Sequence, residues 1–463
     1  MIVTKNFFNK VMVLLITVFL LFVNPEHCSY ELICVITIID IGVCLLVIYK
    51  QGCLKMDNAL FWFWIVTVLF SLGQNIAYLF IVDSSMVKTE LLVGYKYSVS
   101  EMCKGSIFTI QALNMMTLGL FWPMKRESVD YRKIVYDDTT EKSTAYAAYY
   151  IGTILLIISI IPQIIFIRAE LIQFFTMGYG ETTVGQFSGI VLRLHYLFIP
   201  SLFIRYTGKV FLDKKKKLEI FIILFQIMIF LAMGDRGSGL ALCVTFIWLR
   251  AVTDLDFNIQ KYILPILIVI LSVPIIKYYR IGYAINPNAA FSSAVEYALK
   301  NNPIIDILLE MGGSQNIIIM TMNKTAMTGI AYGKAYLDFF IKMLPGFLGI
   351  EQNYGTLAKW VIGTTGYQTQ GYSIWGEAYL NFGRMGILFM FVIGYIFRCF
   401  LKSEGRSKVL SLLRVSITLS FFCDIARRSI SEFGYNFLYD IVVPIILVYC
   451  LGNYLRKRNE SNE

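Results

Sequence analysis

Apolar runs of about 17–22 residues recur from one end of this chain to the other, and no other feature restricts its fold so tightly. Each run is long enough for a helix to cross a hydrocarbon layer, and a backbone in lipid must satisfy its own hydrogen bonds. Twelve can be placed, near 7–23, 32–49, 59–82, 105–122, 146–167, 187–205, 218–233, 238–252, 262–276, 377–397, 408–423 and 436–455. Strands of a β-barrel would instead alternate over ~10 residues, so a barrel is excluded. The expected fold is an all-α polytopic integral membrane protein of about 12 transmembrane helices with one large extracytoplasmic loop. A soluble domain is excluded too, since 57% of the residues are hydrophobic and only 16% charged.

The net charge of +10 follows from the loops between runs and carries no nucleic-acid signal. Lys50, Lys55, Lys125, Arg126, Arg205, Lys209, Lys214–Lys217, Arg250, Lys261, Arg398, Lys402 and Arg456–Arg458 all fall on one side of the twelve-span layout. That side is expected to be the cytoplasm, and both termini share it. The run from Phe7 to Val23 is followed by Asn-Pro-Glu rather than small residues, so it is expected to stay as an uncleaved first helix. Nine cysteines lie mostly inside apolar runs and read as small core residues. With only His27 and His195 available, a histidine-built metal centre is excluded.

Three regions follow from this layout: 1–276 with nine spans, 277–376 as an extracytoplasmic cap, and 377–463 with three spans and a basic tail. The interval from Lys277 to Glu377 reads as a long stretch without a membrane-length run. Loops of such length are functional or disordered, and this one holds too many aromatic and aliphatic residues for disorder. Short helices are expected over Ser292–Lys300, Ile304–Glu310 and Lys334–Met343. The last places Leu337, Phe340, Ile341 and Leu344 on one face, which suits the membrane interface. From Glu351 to Tyr372 the residues turn to Gly, Thr, Gln, Asn and Tyr, either a polar, aromatic groove for sugars or a plain glycine-rich surface loop.

Charges placed within spans or at tight outer turns are costly and mark functional candidates. Arg193 and His195 stand two apart in the sixth span, so on one helix they point in opposite directions. Each has a structural alternative, an ion pair for Arg193 and helix packing for His195. Met233-Gly-Asp-Arg-Gly-Ser-Gly239 joins two short crossings, so its turn is expected to be recessed. There Gly234 and Gly237 would let backbone N–H groups approach a ligand, and Arg236 would present a guanidinium to phosphate oxygens unless it pairs with Asp235. Arg280, Arg427 and Arg428 add cations on the same outer side. Glu377 and Asn381 are four apart, on one helix face. Glu377 is either an ion-pair partner for these arginines or a general base.

Gly-Asp-Arg-Gly after an apolar run, a large outer loop, and Gly376-Glu-Ala-Tyr-Leu-Asn-Phe-Gly383 opening the next span together resemble the bacterial Wzy-type oligosaccharide repeat-unit (O-antigen) polymerases. The resemblance implies an enzyme of the bacterial inner membrane. It would move a growing glycan from an undecaprenyl-pyrophosphate carrier onto a new lipid-linked repeat unit at the outer face. Its partners would be that lipid-linked oligosaccharide and the bilayer, with a chain-length regulator protein as a further candidate. No ATP reaches the outer face, so the substrate must arrive activated. Arginines could stabilise the pyrophosphate leaving group, and Glu377 or His195 could take the acceptor proton. Asp-rich metal signatures are absent from the outer loops, so metal-independent catalysis without a cofactor is expected. A flippase or exporter of the same glycan is the alternative, although such proteins hold their charges near the midplane. An O-antigen ligase is a second alternative, weakened because no histidine follows His195.

Overall fold

The computed structural model describes residues 2–81, 97–122, 139–177, 189–233, 235–254, 257–258, 260, 275, 278–279, 290–300, 302–344, 348–354, 356–363, 371–403 and 407–461. Helices account for all regular structure among them. In chain order these are α1 (Ile2–Phe22), α2 (Tyr30–Lys50), α3 (Ala59–Tyr78), α4 (Val99–Leu120), α5 (Thr139–Met177), α6 (Gly189–Tyr196), α7 (Phe198–Phe211), α8 (Lys217–Ala232) and α9 (Arg236–Thr253). They continue as α10 (Ala290–Lys300), α11 (Pro303–Met311), α12 (Ser314–Thr328), α13 (Lys334–Met343), α14 (Leu357–Ile362), α15 (Ile374–Phe382), α16 (Gly386–Leu401), α17 (Lys408–Ile425) and α18 (Val443–Glu460). Polar residues start several of them. Ser29 and Asn58 cap α2 and α3, Ser98 forms a reciprocal capping box with Glu101 on α4, and Asn302 caps α11 just before Pro303.

Six segments are long and apolar enough to cross a membrane: Tyr30–Lys50, Ala59–Tyr78, Glu141–Ile172, Pro303–Thr328, Ile374–Leu401 and Ser431–Glu460. Asn9–Phe22 and Gly237–Thr253 are apolar but shorter. The run expected at 187–205 is broken at Leu197 into α6 and α7, and the one at 262–276 lies almost wholly outside the described residues. Pro303–Thr328 corrects the view that 277–377 holds no membrane-length run. It escapes notice because Asp306, Glu310, Gln315, Asn316, Asn323 and Lys324 dilute it, and a glycine pair at Gly312–Gly313 cuts it in two.

The chain divides into two compact units. The first comprises Met1–Lys125, Ile263–Cys399 and Cys423–Glu432. Its helices touch through glycine: a Cβ at Gly73, Gly119 or Gly394 would land inside the backbone of a neighbouring helix. Gly73 of α3 and Gly312 after α11 face each other in this way, which draws 303–328 into the bundle. Buried polar side chains then tie the same helices together. Tyr30 donates to Asn75 Oδ1 (2.8 Å), Asn75 to Thr37 (3.0 Å), Ser106 to Asn75 Oδ1 (3.3 Å), and Gln315 to Ser106. Trp375 at the start of α15 donates to Ser71 of α3 (2.6 Å). Ile317 of α12 shares a small core with Ala331, Ala335, Leu357, Val361, Tyr372 and Leu380.

The second unit comprises Arg126–Tyr262, Phe400–Phe422 and Phe433–Glu463. Here α5 and α7 lie backbone to backbone at Gly152 and Gly208. Glu219, fully buried on the first turn of α8, is held by Arg205 (3.0 Å) and Lys209 (2.8 Å), one turn apart on α7. A buried carboxylate needs such partners, and removing one of them would be strongly destabilising. The last helix opens with a π-helical stretch, Phe437–Val442, before α18.

Candidate active site

In the first unit the short turn that follows α17 is fastened at three points. The backbone of Gly371 lies against the carbonyl of Arg427, and a Cβ at 371 would clash with it. Glu377, on the first turn of α15 and fully buried, accepts from the backbone N–H groups of Ile430 (2.6 Å) and Ser431 (2.9 Å). Glu432 accepts from the N–H of Leu357, the first residue of α14 (3.0 Å). A carboxylate that receives two amide hydrogens is strongly held. Glu377 therefore serves the turn itself, and among the described residues it makes no ion pair with any arginine.

Arg427 and Arg428 behave differently in that turn. Arg428 is exposed and its Nε meets Asp424 at 2.7 Å. Arg427 is half-buried and has no ion-pair partner among the described residues. Asn381 is fully buried: its Oδ1 accepts from Ala335 N (3.1 Å) and its Nδ2 donates to the Glu377 carbonyl (2.9 Å). Its amide thus locks α13 onto α15. Asp338 of α13 gathers the 353–354 backbone, accepting from Asn353 N (2.8 Å) and Tyr354 N (2.9 Å).

Polar groups that the sequence reading did not single out surround this turn. By hydrogen-bond geometry the hydroxyls of Ser373, Ser429, Ser431 and Tyr336 are buried without a partner among the described residues. Ser429 and Ser431 flank the amide that Glu377 binds, and Ser373 lies one turn before it. Burial raises the Tyr336 phenol well above its ordinary value, with the charge of Glu377 adding to it. Lys342 sits close enough to feel Glu432, Asp338 and Glu377, yet burial still draws its ammonium below the usual lysine range. No spacing rule links residues 336, 342, 373 and 429, so only the fold collects them.

The second unit receives Arg193, His195 and the 233–239 turn. Arg193 and His195 share α6 and point apart, as their spacing requires. His195 is buried, meets Gln163 Oε1 through Nδ1 (2.6 Å) and stacks on Phe166 with ring centroids 3.8 Å apart. Gln163 in turn donates to Gln226 (3.0 Å), so His195 packs α6 against α5 and α8. Arg193 lays its guanidinium over the Tyr435 ring, Cζ 3.2 Å from the centroid. At the 233–239 turn, Asp235 caps α9 by accepting from Ser238 N (3.3 Å), and Gly237 is buried in its first turn. Gly234, Arg280 and the side chain of Arg236 lie outside the described residues.

Together Glu377, Asn381, Arg427 and Arg428 belong to one unit, and Arg193, His195, Arg236 and Gly237 to the other. No curated protein and no solved structure matches the chain. A family model described as O-antigen polysaccharide polymerase Wzy matches residues 6–459. That match spans both units and every residue placed above, and it favours neither a flippase nor a ligase. The chain belongs to the O-antigen polysaccharide polymerase Wzy family, membrane enzymes that link glycan repeat units.

Proposed function

We propose that this polymerase takes its growing glycan from undecaprenyl pyrophosphate and transfers it to a lipid-linked repeat unit at the outer face of the bacterial inner membrane. In this reading both termini are cytoplasmic, about twelve segments span the bilayer without 303–328 among them, and the region after α12 forms the outer surface. The exposed Leu337, Phe340 and Leu344 of α13 suit a helix lying in the membrane interface there. A chain-length regulator would act as a separate partner.

The observation that carries this reading is Arg427, a half-buried guanidinium without a counter-ion among the described residues, beside a fastened carboxylate and a set of buried hydroxyls. During transfer the sugar C1–O bond to the pyrophosphate breaks and a new C1–O bond to the acceptor hydroxyl forms. The acceptor proton passes to a base, and the lipid pyrophosphate leaves with added negative charge. Arg427 supplies a donor for that charge. Glu377 takes the proton through the lone pairs its two amide bonds leave free. Arg428 is already neutralised by Asp424 and has a lesser part.

Reconstitution tests the reading. Purified protein in proteoliposomes, given only the lipid-linked repeat unit, should produce a polymer ladder and release one undecaprenyl pyrophosphate per bond formed. A requirement for nucleotide sugar or ATP would overturn it.

A further inference from the structure

The second unit contains a polar cluster that none of these steps employs. Asp440 lies within the π-helical stretch, only 1% exposed, and its Oδ2 accepts from Asn436 Nδ2 (3.0 Å). Tyr435 stacks on Tyr439, with ring centroids 4.2 Å apart and planes 24° from parallel. Arg193 sits 3.2 Å from the centroid of the same Tyr435 ring. Two groups at such distances cannot share one face, so Tyr435 is sandwiched between Tyr439 and the guanidinium. Its charge reaches Asp440, yet the two make no ion pair within 4.0 Å among the described residues.

A guanidinium stacked on a ring keeps its N–H donors in the plane, pointing outward. Beside it stand a carboxyl group, an amide and two half-buried tyrosines. We propose that Arg193, Asn436 and Asp440 form a saccharide subsite that recognises a neutral sugar of the repeat unit. Each sugar hydroxyl both donates and accepts, which matches a donor and an acceptor held side by side but not touching. A pyrophosphate suits the cluster less well: when ionised, Asp440 cancels the charge of Arg193 and repels a second anion. This inference rests on the glycan-transfer reading above and names where part of the glycan is held.

The test uses full-length protein in nanodiscs and two probes, the oligosaccharide repeat unit freed from its carrier and inorganic pyrophosphate. Arg193→Lys and Asp440→Asn should each weaken oligosaccharide binding by ~10-fold or more, the value of one or two charge-assisted hydrogen bonds. Pyrophosphate inhibition should be unchanged. In polymerisation the KM for lipid-linked unit should rise with kcat nearly constant, and Asp440→Glu should recover part of the loss. Should Asp440→Asn fail to fold, Asn436→Ala, which trims a half-buried side chain, carries the same expectation. Wild-type oligosaccharide affinity and KM in these variants would overturn the subsite. Loss of pyrophosphate inhibition instead would overturn it in favour of a carrier clamp. A wild type that binds the free oligosaccharide but polymerises only with nucleotide sugar would sink the transfer reading and leave the subsite standing.

Discussion

Glu377 and Arg193 are charges placed in apolar surroundings, and the protein restrains them by opposite means. Glu377 is tied by directed hydrogen bonds from the backbone of Ile430 and Ser431. Arg193 lies over the face of Tyr435, and among the described residues none takes a hydrogen bond from it. The first arrangement makes the charge part of the scaffold: take it away and a turn is left with unmet N–H groups. The second restrains a charge while leaving it able to bind something else. A buried charge can therefore act only through the hydrogen-bonding capacity that its anchoring leaves uncommitted.

The sharpest way to break this contrast is Glu377→Ala. Two buried amides would lose their acceptor at about 1–3 kcal/mol each, so the variant should lose ~2–6 kcal/mol and most folded protein in the membrane. Wild-type thermal stability of the solubilised variant would show that the turn does not depend on Glu377. Next comes Arg427→Ala, which breaks no ion pair among the described residues. Its stability should change by less than about 1 kcal/mol, whereas loss of a donor to the leaving group should cut polymer formation ~10²–10³-fold. Unpolymerised lipid-linked unit should accumulate in cells carrying it, and a wild-type ladder would remove Arg427 from the chemistry.

Tyr435→Leu should cost about 1–2 kcal/mol by removing the surface on which Arg193 rests, while Tyr435→Phe should cost almost nothing. Thermal melts of the pair, read with the KM for lipid-linked unit, would separate the ring from its hydroxyl. Equal losses in both would mean that the phenol, not the face, holds Arg193. The smallest effect belongs to Arg428→Ala. Its pair with Asp424 is half exposed, worth less than about 1 kcal/mol, and polymer yield should stay within a few-fold of wild type. A large loss there would erase the difference between the neighbouring arginines.

The membrane class and most helices were legible because apolar runs are a direct consequence of spanning lipid. The juxtaposition of Glu377 and Asn381 was legible too, since four residues make one turn, and their link is the Asn381 amide on the Glu377 carbonyl. Residues 303–328 were not legible as a long helix, because their polar side chains serve α3 and α4 and lower the apparent hydropathy. Arg427 and Arg428 are indistinguishable in sequence, and Asp424 chooses between them only once the turn is formed. Asp440 is hidden more deeply. It lies inside an apolar run, and the Arg193 it feels is almost 250 residues earlier.

Glu141–Ile172, the apolar part of α5, contains 32 residues. At 1.5 Å each it is about 48 Å long, against a hydrocarbon thickness of ~30 Å. A straight helix of that length would have to lean by about 50°, more than spanning helices do. The excess must be absorbed by a bend or by the ends, and Pro162, which lacks the N–H of a regular turn, is the natural bending point. The next residue, Gln163, holds both His195 and Gln226. A thicker or thinner bilayer would therefore change the bend at the place where α6 and α8 are moored, and His195, on the same eight-residue helix as Arg193, would move with it.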